Sequence, residues 1–237
     1  MYKKIPFLLL TSYFFMVSCS DPIQNNSRIS FDFKVINESN QPISDIGVSA
    51  SALRSGVSIF IPIIPSFEGV LGVGTTDNQG EANLISLSPD ETISRIGVLI
   101  NSEEQSAETP LNEDYGVVIY QLDSIITRNT VLPDVVLKRS ATLEIEIIDT
   151  PTLEGTLSYA ITYPARVQKF QIPSGEEAIS ETIEGSGILE SSEILVLETL
   201  QNTTALFTYF ITSNGVTESD TIEIPINQET VQYAFEF

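Results

Sequence analysis

The chain of 237 residues has no histidine, no tryptophan, a single cysteine and only 11 lysines and arginines. Each shortage closes a class of function. Without histidine there is no Ser–His or Cys–His catalytic pair and no imidazole metal ligand. One cysteine excludes an internal disulfide and a cysteine-based zinc site. The basic residues face 32 acidic ones, a formal net charge of −21. That argues against nucleic acid as a partner and against broad electrostatic docking on anionic lipid. Beyond positions 3 and 4, the lysines are Lys34, Lys138 and Lys169. No spacing picks out a carboxylate pair, so no residue is assigned to catalysis, no cofactor or metal set is read, and a non-enzyme is expected.

What is present favours strands. Hydrophobic residues make up 42% of the chain, enough for real cores. Val, Ile, Thr, Tyr and Phe recur in short runs, and good helix formers are scattered. The length fits one large or two modest domains.

Residues 1–18 read MYKKIPFLLLTSYFFMVS. Lys3 and Lys4 form a basic start, and the mostly apolar stretch from Ile5 to Val17 is short for a bilayer span. Ser18 is small and Cys19, the chain's sole cysteine, follows at once. This arrangement resembles a bacterial lipoprotein signal, with Met16-Val17-Ser18-Cys19 as the lipobox. The resemblance implies cleavage before Cys19 and lipid attachment there. Buried acyl chains contribute about 0.8 kcal/mol per CH₂, so several anchor more firmly than one. Removing residues 1–18 takes two lysines and no acids, leaving −23. Such a body is repelled by anionic lipid, and the anchor must hold it at the membrane. Residues 19–28 read as the lipidated cysteine and a polar tether. Ser20 and Asp21 resemble the start of the surface-export signal of Bacteroidetes-type lipoproteins. A plain spacer facing the periplasm is the alternative, so an outer-membrane location is expected with the face left open.

Downstream, Ile29, Phe31, Phe33 and Val35 alternate with polar residues, the mark of a half-buried strand. Further strands are expected near 48–52, 69–76, 81–87, 93–100, 115–122, 131–138, 142–147, 156–163, 167–172, 178–184, 193–200, 203–213, 216–226 and 230–237. Asn214-Gly215 predicts a type I′ hairpin turn. Ser88-Pro89-Asp90-Glu91 fits a capping box and predicts one helical turn. The acidic stretch 101–114 reads as a solvated loop. Many short strands with turns between them point to sandwiches. The expected fold is all-β, with two β-sandwich domains at 29–139 and 140–237.

The span 29–87 resembles the carboxypeptidase regulatory-like domain, a transthyretin-like sandwich. Phe33-Lys34-Val35, Gln41-Pro42-Ile43 and Ile46-Gly47-Val48 carry the likeness, together with Thr76-Asp77-Asn78-Gln79-Gly80 running into Glu81-Ala82-Asn83-Leu84. In that last piece Asp77 suits an Asx turn and Gly80 a left-handed closure. Asn40 and Asp45 stand where the family often has glycine, and Asn tolerates left-handed geometry. The resemblance implies a fold and a non-catalytic accessory role. Residues 140–237 look like an immunoglobulin or fibronectin type III sandwich.

Three features invite a binding role, and each has a structural alternative. The run Ile59 to Phe67, broken by Pro62 and Pro65, offers Phe60, Ile63, Ile64 and Phe67 as an exposed apolar patch, or else forms an edge strand or flap over the core. Asp77, Asn78 and Glu81, and separately Glu103, Glu104, Asn112, Glu113 and Asp114, invite a calcium site or form a solvated acidic rim. Tyr209, Phe210, Tyr233, Phe235 and Phe237 are read as core packing rather than a sugar platform. The functional expectation is a lipid-anchored, non-catalytic envelope protein presenting its sandwiches to a protein or glycan. The rival is a fimbrillin-like pilus subunit or anchor that donates a strand to its neighbour, with Arg28 as a processing site or simply a strand-flanking base.

Overall fold

The structure is a computed structural model that describes residues 23–54, 66–89, 94–103, 111–122, 128–148, 155–172, 175–177, 179–187 and 192–237. These form an all-β protein of two sandwiches. Residues 1–18, read from the sequence as a lipoprotein signal, and Cys19 lie outside the described residues, as do Phe60, Ile63 and Ile64.

In the first sandwich one sheet is built on β1 (Ile23–Asn37), which pairs with β4 (Glu81–Pro89), β7 (Asn129–Val131) and β8 (Val135–Leu137). The facing sheet runs β12 (Gly175–Glu177), β11 (Val167–Ile172), β6 (Val117–Leu122), β5 (Ser94–Ile100), β2 (Gly47–Arg54) and β3 (Ser66–Thr75). The period-two pattern decides the faces: Phe31, Phe33 and Val35 of β1 point inward onto Val48, Ala50, Ile96, Val98 and Val118. Each large side chain buried this way contributes about 1.5–3 kcal/mol. Ser49, Ser51 and Leu99, on the opposite face of β2 and β5, are also buried. This explains the unbroken apolar run at Val98-Leu99-Ile100, since a strand enclosed on both faces need not alternate.

The second sandwich packs the sheet β13 (Ser180–Gly187), β10 (Thr156–Pro164), β15 (Thr203–Ser213), β16 (Val216–Ile226) on the sheet β14 (Glu193–Leu200), β9 (Ser140–Ile148), β17 (Thr230–Glu236). Its core is aromatic: Phe207 lies 4.8 Å from Phe235 and 6.0 Å from Tyr159, centroid to centroid. Offset and tilted rings of this kind add about 0.5–1.5 kcal/mol per pair beyond their burial. Pro225 sits in β16, an edge strand, where its missing N–H is harmless.

The turns follow their chemistry. Asn214 and Gly215 have φ of 52° and 77°, as the hairpin requires. Asn40 and Asp45 adopt φ near 60°. Asp77 Oδ1 accepts from the backbone N–H groups of Gln79 and Glu81 at 2.8 and 2.9 Å, and Gly80 closes the turn at φ 72°. Thr76 is buried: its hydroxyl donates to Ile43 O at 2.8 Å and accepts from Ile46 N at 3.0 Å, fixing the loop before β2.

Four expectations are corrected. The strand expected from Ile29 begins at Ile23, so residues 23–28 belong to β1 rather than to a tether. Ile23 pairs with Pro89, and the ladder resumes only at Arg28 opposite Leu87, a large bulge that accommodates the polar Gln24–Ser27. Ser88 and Pro89, expected as the cap and first residue of a helical turn, instead end edge strand β4, and residues 90–93 lie outside the described residues. The stretch expected to be a solvated loop starts with a fully buried Asn101. Finally, a boundary at Arg139/Ser140 puts 167–177 in the second body, whereas β11 lies parallel to β6 and extends the sheet of the first. Phe170 and Ile172 pack on the first core, with Phe170 5.3 Å from Tyr120. The apolar face of β6 supplies the reason, because β11 and β12 cover what would otherwise be an exposed edge.

Candidate functional site

Of the apolar patch read from the sequence, only Phe67 falls within a described strand, with its backbone opposite Leu53 in edge strand β3. The acidic turn at Asp77 spends its carboxylate on closing the hairpin. Among the described residues no group of three or more acidic, histidine or cysteine side chains is arranged to hold a metal ion.

The crossing of the chain between the sandwiches builds a polar junction. Leading from β8 into β9, Ser140 N donates to Asp114 O, and Gln201 N donates to Arg139 O, both at 2.9 Å. Arg139 stacks over Tyr115 at 5.8 Å. Arg166, in the link from β10 to β11, donates to Glu113 O and Tyr115 O at 3.1 and 3.2 Å and pairs with Glu198 at 3.3 Å. Thr199 and Asn202 of the second sandwich reach Pro164 O and the Glu38 carboxylate. A cleft of about 380 Å³ lies here, lined by Arg139, Arg166, Gln201, Glu103, Glu198 and Glu229 among others. Its basic groups are engaged with backbone carbonyls, a ring and a carboxylate, so its chemistry is that of a clamp.

Two surfaces able to take a partner lie on the second sandwich. Strand β14 pairs with β9 alone among the described residues, leaving one side of the strand open. Leu195 and Leu197 turn inward, while Ile194 and Val196 point out and are 64% and 62% exposed. Beside this edge Tyr159 and Tyr163 of β10 close the inner side: their hydroxyls donate to Glu193 and Glu181 at 3.0 and 2.6 Å. Burial first, and then these carboxylates, push both phenols up to about 12.

The outer face of the sheet β13-β10-β15-β16 is the second surface. Phe210 lies on it, 45% exposed, although Phe207 and Tyr209 in the same strand serve the core. The reading of Phe210 as core is thereby corrected, as its position is out of step with the inward residues 205, 207 and 209. The same parity test finds Ile194 and Val196: in Glu-Ile-Leu-Val-Leu a strand with one wet face carries two apolar residues too many.

No family model matches the chain, and no curated protein sequence matches it. Among solved structures it is similar to the Bacillus anthracis TIE protein, at 13% identity and a TM-score of 0.27 over 89% of this chain. The chain spans about a third, 34%, of that protein's length. It is similar to the minor pilin of Streptococcus agalactiae at 11% identity and a TM-score of 0.33, over 88% of this chain and 94% of that one. A putative cell adhesion protein from Bacteroides fragilis aligns at 10% identity and a TM-score of 0.29, over 88% of this chain and 92% of the other.

Proposed function

We propose that this chain is a lipid-anchored, non-catalytic protein of the cell envelope that presents two joined β-sandwiches to a protein or glycan partner. Cys19 after its basic and apolar leader supplies the anchor in this reading. The observation that carries the presentation role is the open edge of β14. There Ile194 and Val196 stand exposed on a strand whose outer side pairs with no other strand among the described residues. An extended segment of a partner adds to such an edge by main-chain hydrogen bonds and is selected by alternate side chains. Acidic Glu144 and Glu146 lie across from these two residues in β9, which favours a partner strand carrying a basic residue.

The same edge supports a second reading, a fimbrillin-like subunit or anchor whose neighbour supplies the strand. A net charge of −21 opposes close packing of many copies and places this reading second.

Cross-linking of the full-length protein in intact cells, followed by mass spectrometry, tests both. A discrete product with another protein, lost on Ile194→Lys, supports presentation through β14. A regular ladder of this chain alone supports the subunit reading. A product indifferent to Ile194→Lys removes β14 from the mechanism. Replacing Cys19 by alanine is expected to release the protein from the membrane fraction.

A further inference from the structure

We infer that the outer face of the β13-β10-β15-β16 sheet binds an uncharged polysaccharide, with Phe210 as its stacking platform. This deepens the presentation reading and rests on it.

The face is unusual for this molecule. Twelve of its residues are serine or threonine, Ala160, Leu206 and Phe210 lie among them, and it carries no lysine or arginine. Its two acids, Glu184 on β13 and Glu223 on β16, sit on the outermost strands. In a protein of charge −21 this is a hydroxyl-rich sheet surface with only two charges, both negative.

The hydroxyls are ordered. Thr162 bonds Thr182 at 3.1 Å, Thr208 bonds Thr221 at 3.0 Å and Thr212 bonds Thr217 at 2.9 Å, each across a strand pair. A hydroxyl has one donor and two acceptor positions, so each pair keeps capacity for a ligand. These bonds run across the strands.

Beside Phe210 is a shallow hollow of about 420 Å³, lined by Ala160, Ser158, Ser186 and Glu184. The register explains it: Ser158 is opposite Phe210, and small Gly185 and Ser186 lie beyond it on β13. A pyranose ring presents C–H groups on its face and hydroxyls at its rim. The first matches an exposed aromatic ring and the second matches flanking Ser, Thr and carboxylate groups.

Other occupants fit less well. A protein interface needs a contiguous apolar centre, and here the apolar residues are embedded among hydroxyls. An anionic glycan or nucleic acid needs cations, and the face has none while Glu184 repels them. An extended neutral glycan needs no cation and matches the exposed ring, the hollow beside it and the hydroxyl density together.

The test uses the full-length protein extracted in mild detergent and run in native gels cast with β-glucan, xylan, mannan or amylose, with heparin as the anionic control. We expect retardation by at least one neutral polysaccharide, weakened tenfold or more by Phe210→Ser and by Thr208→Glu. Both positions face solvent, and an unchanged melting curve will show that the variants fold. Ile194→Lys should leave retardation intact. No retardation by any of the four, retardation by heparin alone, or retardation that survives both face variants would overturn the proposal. A protein partner cross-linked through β14 together with no retardation sinks the glycan face while the presentation reading stands.

Discussion

The side chain of Asn101 clasps the backbone of Asn112, donating to its carbonyl and accepting from its N–H, each at 2.8 Å. The same amide also donates to Tyr115 O at 3.0 Å and Gly116 O at 3.1 Å. Asn101 is fully buried at φ 57°. It thus ties the end of β5 to the segment that enters β6 and meets Arg166. Asn101→Ala removes these bonds, leaves buried backbone groups unpaired and keeps a strained φ. It should lower stability by about 2–4 kcal/mol, read as a lower urea midpoint with unchanged slope.

Gly72 and Gly69 make a matched pair on β3. A Cβ at Gly72 would lie 2.3 Å from the carbonyl oxygen of Ile85, where β3 and β4 close the side of the first sandwich. At Gly69 a Cβ meets nothing within 4 Å. Gly72→Ala should destabilise by about 2 kcal/mol or more because backbone must move. Gly69→Ala should be neutral or stabilising by up to about 1 kcal/mol. Equal melting temperatures for the two variants would contradict this packing.

Alkaline pH should unfold the protein through its tyrosines. Burial, with the charge of Asp134, holds Tyr120 at about 12, and Tyr159 and Tyr163 lie at about 12 as well. In the unfolded chain these phenols titrate near 10. Between pH 10 and 12 the unfolded state therefore binds fewer protons than the native state, and stability falls with rising pH. Their contribution is complete below pH 10 and lost by about 12. Denaturation midpoints across that window should drop, and the drop should shrink in the Tyr159→Phe and Tyr163→Phe variants.

Phe170 belongs by sequence to the second half of the chain and by packing to the first core. Phe170→Ala should cost about 2–4 kcal/mol and perturb Tyr120, its ring partner. A fragment ending at residue 139 should lack the cover on β6 and self-associate on size exclusion. A monomeric, fully stable fragment would show that β11 is dispensable.

Local structure was largely legible, because alternation and turn chemistry are local. Strands 193–200, 203–213 and 216–226 fall where their residues predict. Among the described residues, every non-glycine with positive φ is Asn or Asp, the types that tolerate it. Pairing between distant segments was not legible. The alternation of Val167–Ile172 announces a strand and is silent on its neighbour, and parallel pairing with β6 leaves no turn to read. Asn101 was hidden because its acidic surroundings suggest solvent, and only the fold brings four backbone partners to its amide. Phe210 was hidden because an aromatic residue in a strand is usually core, although its parity pointed outward.

The return of β11 into the first sandwich has a mechanical consequence. The backbone crosses between the two bodies at 138–140, again at 165–167 and once more after Glu177. A pull that separates them is shared by three covalent passages rather than concentrated on one hinge. β11 and β12 would have to be torn out of the sheet before the bodies could part. A load applied across the pair should meet one stiff link.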